Sequence, residues 1–565
     1  MEKLNNKIFI GFLFFLSIFF FTAPAQSARW YVDSLASPGG DGKSWAHAFK
    51  NIQTALNNCS SMWVICMSPT DEIWVKRGTY SLSEQINVSK YVTIYGGFNG
   101  TEQKSGDRDW TNNRTIIYGK NSVRCLYVTA PAIIDGFIIY RGKAVGENGG
   151  GIYIDSPPIE CTFPQFSHVA KIRNCSFEYN NAEVRGGGIY DHQSDPLIQN
   201  CVFIGNSSPG GGGIQNWNSS PTIEKCRFKG NLSTSPGSWG GGAICSDYLC
   251  YGTITNCIFH LNTSESHGGA IAYHMAYPYI KNCTFTQNES NFSGGALYAN
   301  TGGPRITNCI FWGDSPDELA FDYSSTDWRY VRYSDIDGGY SGPGYNNINA
   351  NPRFVDGPID VRLSSDSPCI DTGTNSDAPD EDIDSYSRPI DGNGDGTVRC
   401  DMGAYEFYLP DVTIELNLPE GWSMISLPVE PDSLKLSGLF PGAVVVYGYA
   451  RGAGYTRVAD GEALKIGKGY WILLNDARKY TLTGQSIDEY TLQVHEDGWE
   501  MIGGCTYPAE AITNGCNIKV IYRYDIGSGY QRMLEFEDIE PGKGYWIMLK
   551  DIVNQAELNI SSSMP

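Results

Sequence analysis

The chain has 565 residues and a formal net charge of −21, from 41 Lys and Arg against 62 Asp and Glu. That balance excludes a partner gripped through its phosphate backbone, because nucleic-acid binding runs on clustered Lys and Arg, so no nucleic acid is expected. Gly supplies 65 residues and Tyr 35, while helix-forming runs are scarce, which favours β structure with many turns.

The chain opens with Lys3 and Lys7, an apolar run from Ile8 to Phe21, and the small-residue stretch Ala23-Pro24-Ala25-Gln26-Ser27-Ala28. This is the layout of a secretory signal over 1–28, with a retained membrane anchor as the competing reading. A secreted or cell-surface location follows. Trp30-Tyr31-Val32-Asp33, the Gly39 to Trp45 turn and the helix-like Ala46 to Leu56 then look like the opening of bacterial secreted β-helix proteins, in which a short amphipathic helix covers the first coil. Such a cover is needed because a bare coil end is a sheet edge.

The strongest signal is internal repetition. Asn174-Cys175, Asn200-Cys201, Lys225-Cys226, Asn256-Cys257, Asn282-Cys283 and Asn308-Cys309 recur at spacings of 26, 25, 31, 26 and 26, each with a Phe two residues after the Cys. Three residues beyond each Phe stands Asn180, Asn206, Asn231, Asn262, Asn288 and finally Asp314. In phase with these run Gly150-Gly151-Ile152, Gly187-Gly188-Ile189, Gly212-Gly213-Ile214, Gly242-Ala243-Ile244, Gly269-Ala270-Ile271 and Gly295-Ala296-Leu297. Each period reads as two short strands and two turns. Such a unit buries no core alone and must stack on its neighbours. Cys and Phe form inward ladders, and the Asn column suits side-chain bonding from coil to coil. The repeats resemble the Gly-Gly-Ala-Ile and Phe-x-x-Asn repeats of the chlamydial polymorphic outer-membrane proteins over about residues 148 to 315, which implies a β-helical passenger displayed outside the cell. The expected fold is all-β: a right-handed parallel β-helix, a solenoid, at 29–360 with its N-terminal helical cap, followed by a tandem small all-β domain.

Sixteen cysteines in an exported chain suggest disulfides, but stacked ladder thiols point the same way, so the six read as buried small hydrophobes. A stacked metal site lacks the paired short spacings and His partners of zinc. Bridges are expected outside the ladder, as Cys59 with Cys66, Cys369 with Cys400, and Cys505 with Cys516.

Residues 361–409 form an Asp/Gly-rich module that resembles the closing module following many secreted β-helices, which implies surface placement. Within it Asp391-Gly392-Asn393-Gly394-Asp395-Gly396-Thr397 matches the first seven positions of an oxygen-rich loop for structural calcium. Met402 stands where the closing acid belongs, so Asp401 or Glu406 is expected to complete a sphere of Asp391, Asn393, Asp395 and Thr397. An ordinary Asp/Gly turn is the alternative.

After Pro410 a second repeat covers about 412–488 and 489–565. Gly421-Trp422 matches Gly498-Trp499, Tyr447-Gly448-Tyr449 matches Tyr522-Arg523-Tyr524, and Gly467 to Trp471 matches Gly542 to Trp546, at offsets of 77, 75 and 75. Two small all-β modules are expected. Their Trp and Tyr read as core, with a sugar-stacking platform as the functional alternative.

Three residues after each ladder Ile or Leu lie Asp155, His192, Trp217, Asp247, His274 and Asn300, which alternation stacks on one outward column. The column suits a sugar groove. His192 and His274 are candidate bases with Asp155 or Asp247 as acid partners. The paired-Asp and Gly-His-Gly signature of polygalacturonases and the Arg-centred motif of pectate lyases are both missing, and fold alone licenses no activity. The reading is therefore a non-catalytic adhesin or polysaccharide-binding protein, whose partner is a polysaccharide or a host or cell-surface glycan and whose C-terminal domain attaches to the cell surface. The alternatives are a polysaccharide lyase or glycoside hydrolase of pectin-lyase-like fold, and a structural surface-layer component.

Overall fold

The structure is a computed structural model that describes residues 27–60, 71–156, 170–237, 240–322, 330–357, 359–394, 396–408, 411–431, 433–487, 489–534, 537–552 and 555–562. The chain divides into two compact units, 1–407 and 408–565.

The first unit is a stack of coils whose strands run parallel. Successive coils build four sheets of 12, 10, 6 and 9 strands, called here the first to fourth in the order a coil visits them. One coil shows the pattern: Leu197–Gln199, Val202–Ile204, Ser207–Ser208 and Ile214–Trp217. A period thus holds four strands where two were expected. The reason lies at the corners. Asn200 before the Cys sits at φ 51° and Gly205 after the Phe-centred strand at φ 60°, so each left-handed residue ends an extended run after three residues. Asn and Lys occupy the first of these corners in every repeat, at φ between 47° and 54°.

Inside, one residue type meets itself coil after coil. The rings of Phe177, Phe203, Phe228, Phe259, Phe285 and Phe311 stack with centroids 4.5–4.8 Å apart and planes within 13°. That spacing is the strand repeat of a parallel sheet, about 4.8 Å, so the backbone sets the ring stack. The six ladder cysteines are buried thiols. Each donates to the carbonyl two residues before it, as Cys201 Sγ does to Gln199 O at 3.3 Å. Burial holds the Cys201, Cys257 and Cys309 thiols far above the ordinary thiol range. The Asn column is bonded along its length. Asn231 Nδ2 donates to Asn262 Oδ1 at 2.9 Å and to Phe203 O at 3.0 Å, and Asn231 Oδ1 accepts from the backbone N and the Nδ2 of Asn206. Asp314 ends the column as an acceptor only, taking both N–H groups of Asn288.

The N-terminal cover is shorter than the expected Ala46 to Leu56. A 3-10 turn spans Trp45–His47, and the helix proper is Ile52–Asn58, because Asn51 Oδ1 accepts from Thr54 N at 2.8 Å and starts the helix there. Its Ile52, Ala55 and Leu56 are buried in the solenoid core.

The module after 361 lies along the side of the solenoid. Val361, Ile383 and Ala404 pack on Ile258, and Leu363, Cys369, Ile370 and Met402 on Ile310, which are outward residues of the second sheet. Arg388, 4% exposed, binds Glu406 at 2.6 Å and donates to Asn256 Oδ1 at 2.9 Å. The outer face of the second sheet is thereby covered across the coils of Lys225 to Asn308, where Lys225 pairs with Glu381 and Asn308 donates to Thr374 O.

In the second unit each repeat folds into a three-stranded and a four-stranded antiparallel sheet with the same strand order. Separate cores form, one around Phe440 and Tyr470 and one around Ile502 and Tyr545.

Candidate site on the fourth sheet

On the outer face of the fourth sheet the first outward row is buried at Tyr190, Gln215, Cys245, Ala272 and Tyr298, and the second reaches solvent at His192, Trp217, His274 and Asn300. The expected column is there. His192, Trp217, Asp247, His274 and Asn300 are register partners on consecutive strands, and Asp155 follows Ile154, the neighbour of Asp191. Adjacent members touch. His192 Nδ1 lies 2.9 Å from Asp155 Oδ1, and His274 Nδ1 lies 3.9 Å from Asp247 Oδ1. Each candidate His thus sits beside a candidate Asp on a neighbouring coil.

Asp247 is 5% exposed and does not face solvent as the column predicts. Gln215 Nε2 donates to its Oδ2 at 3.0 Å and Arg185 reaches it at 3.6 Å, because the side chain bends over its own sheet toward these donors. Burial raises the Asp247 carboxyl, opposed by Arg185 and His274. The same Arg185 lies 4.5 Å above the Trp217 ring, whose edge meets Tyr248 at 4.6 Å.

Sequence reasoning missed the parallel row one position after the ladder Ile or Leu. Tyr127, Tyr153 and Tyr190 pack ring to ring at 5.1 and 5.0 Å, with Arg124 over the first two at 5.7 and 5.4 Å. Burial raises all three phenols, Tyr190 to about 12, so they stay donors. The row is legible in retrospect from repeat phase, since each Tyr directly follows Leu126, Ile152 or Ile189. The corner after the fourth sheet adds Tyr248 and Leu249, 42% and 57% exposed, and a pocket of about 310 Å³ lined by Leu249, Tyr251, Tyr277, Tyr279, Gly303 and Arg305. Tyr251 and Tyr277 stack at 5.6 Å.

The carboxylates do not form a hydrolytic pair. Asp155 and Asp247 are three coils apart, about 14 Å at the strand repeat, whereas glycosidases hold theirs within about 10 Å.

A family model described as right handed beta helix region matches residues 218–338. The solenoid is a right-handed parallel β-helix. No curated protein matches the chain. Among solved structures, the enzymatically active domain of bacteriophage CBA120 tailspike protein 4 is similar at 10% identity and a TM-score of 0.26. That match covers 87% of this chain and 62%, under two thirds, of that one.

The β-helix carries its other expected sites away from this face. At the oxygen-rich loop, Asp391 accepts from the amides of Gly394 through Oδ1 and of Gly396 through Oδ2. Asp395 lies outside the described residues. Asp401 is 1% exposed and accepts from the amides of Asp371 and Phe407, while Glu406 is engaged by Arg388, so neither expected closing acid is turned to the loop. Among the described residues no group of three or more His, Cys, Asp and Glu side chains could hold a metal ion.

Two expected disulfides are absent: Cys369, Cys400, Cys505 and Cys516 are all thiols. Cys369 Sγ donates to Asp335 Oδ2 at 3.2 Å. Cys505 Sγ donates to Ile560 O, while Cys516 lies beyond the far end of the intervening strand Ala509–Asn514. Cys66, the expected partner of Cys59, is outside the described residues.

Proposed function

We propose that the protein is a secreted or surface-displayed, non-catalytic β-helix that binds polysaccharide along the outer face of the fourth sheet and its following corner. The observation that carries this is an aromatic surface running along the helix axis, from Tyr127 and Tyr153 through Trp217 and Tyr248 to Tyr251 and Tyr277, on which the column's carboxylates Asp155 and Asp247 stand three coils apart. Aromatic faces suit the apolar side of a sugar ring, and protonated phenols bond its hydroxyls. The leader-like residues 1–28 support export, and the C-terminal unit supplies a second contact, with the cell surface. Calcium at Asp391, Asn393, Asp395 and Thr397 belongs to the same proposal, with Asp401 outside the sphere.

Binding to a panel of neutral and acidic polysaccharides tests it. Tyr248→Ala and Tyr277→Ala should each weaken binding several-fold while no new chain ends appear. Binding unchanged in both variants refutes the placement. A second reading, a polysaccharide lyase, is favoured by the 2.9 Å His192–Asp155 contact, which orients an imidazole as a base. New chain ends that vanish in His192→Ala decide for it.

A further inference from the structure

The tandem C-terminal unit carries a second set of aromatics that its two cores do not use. Trp471, Trp499, Tyr449, Tyr522 and Tyr524 cluster instead around Met424, Met501 and Trp546, where the two repeats meet. The meeting is nearly two-fold. Ile425 bridges to Lys543 and Lys468 to Ile502, and the repeat offsets of 77 and 75 residues carry one bridge onto the other.

Two clefts open beside this junction. One, of about 560 Å³, is lined by Trp499, Tyr522, Tyr530 and Trp546 of the second repeat and Tyr449 of the first. The other, of about 450 Å³, is lined by Trp422, Tyr447, Tyr455 and Trp471 of the first and Tyr524 and Tyr530 of the second. Each repeat lends its partner the equivalent tyrosine, Tyr449 or Tyr524. These rings meet the partner's Trp546 and Trp471 at 4.7 Å, edge to face, in both cases. Tyr530 lines both clefts, so one ring is common to the two.

Packing does not account for the rim. Trp422 is 38% exposed, Tyr455 52% and Tyr530 50%, yet Tyr455 and Tyr530 stand at the same place in both repeats. Among the described residues no charged side chain lines either cleft. An anionic or cationic ligand would find no counter-charge, and each cleft is several times larger than a single ammonium group. Flat indole faces beside phenol hydroxyls match a neutral pyranose, which has an apolar face and a rim of hydroxyls. We propose that the two clefts join at Tyr530 into one groove and form a second carbohydrate site, which holds a neutral oligosaccharide across the junction of the two repeats. It shares the ligand class of the function proposed above but none of its residues.

The test uses the full chain and a panel of neutral hexasaccharides of glucose, mannose, galactose and N-acetylglucosamine, followed by calorimetry and tryptophan fluorescence. At least one should bind and shift the emission. Trp422→Ala and Trp499→Ala should each weaken it about tenfold, and Tyr530→Ala at least as much, because each removes a stacking face. Trp499→Phe, which keeps a ring, should restore most of the affinity and guards against misfolding. Tyr277→Ala on the β-helix should leave this binding unchanged. No bound hexasaccharide, or affinities unaltered by the cleft variants, overturns the proposal. So does a dimer that Trp422→Ala dissociates without change in sugar binding, since the groove would then seat a second copy. Loss in Tyr277→Ala alone would confirm the β-helix face and refute the groove.

Discussion

Replacing Asn231 by Ala removes the centre of the asparagine column. Four hydrogen bonds go: two accepted by Oδ1 from Asn206 and two donated by Nδ2, to Phe203 O and Asn262 Oδ1. Asn206 N, Asn206 Nδ2 and Phe203 O are left without these partners in a fully buried corner. A buried polar group left unsatisfied costs about 1–3 kcal/mol, so three of them should cost about 3–9 kcal/mol, with water in the vacated space and the remaining bond of Asn206 Nδ2 to Phe177 O favouring the lower end. Because each coil contacts only its neighbours, the loss should be local. Hydrogen exchange followed by mass spectrometry should show protection falling in peptides of the coils around Asn206, Asn231 and Asn262, with the coils near Ile94 unchanged. Urea unfolding should shift by the same free energy. A shift under about 1 kcal/mol with unaltered exchange would refute the view that these amides, in addition to the apolar ladders, hold the coils in register.

At the end of the same column, burial raises both the Asp314 and the Glu318 carboxyl, and the Asp314 charge raises Glu318 further. A raised folded pKa means the native state holds protons that the unfolded state releases, so stability falls as pH rises above the ordinary Glu value of about 4.3. Glu318→Gln should remove the Glu318 share of this slope, up to about 1.4 kcal/mol per pH unit, in thermal unfolding between pH 6 and 8, above the Asp314 value of about 6. Arg388→Ala leaves the fully buried Glu406 carboxylate without its partner and should cost about 3–5 kcal/mol, read as faster proteolysis of the 361–407 segment. Among the described cysteines only Cys516 is not buried, so brief native alkylation should modify Cys516 and spare the six ladder thiols, which react after denaturation.

The β-helix was legible because its period is written in identities: Cys, Phe and Asn recur in phase, and stacking makes like meet like. The four-strand coil was not, since the corner at Asn200 depends on a left-handed φ that the residue permits but does not announce. The column from Asp155 to Asn300 was found by counting from the ladder residues, yet its chemistry was misjudged at Asp247, which Arg185 reaches from a turn two coils away. The tyrosine row two positions earlier went unread because Gln215, Cys245 and Ala272 interrupt it. The side placement of residues 361–407 rests on long-range contacts such as Arg388 with Asn256, which no local pattern encodes.

The coil that contains the 31-residue spacing has a further consequence. Four of its five extra residues fall between Ser233 and Gly242 and one at the corner after Asp247, while Phe228, Phe259, Asn231 and Asn262 keep their partners as if nothing had been inserted. Interior and perimeter therefore answer to different constraints. The inward residues fix the axial pitch, and each loop changes in length without disturbing the coil above or below. Such a molecule works as a graduated rod with exchangeable fittings: new surface chemistry can be added at one corner, at a chosen height, while every other height stays as it was.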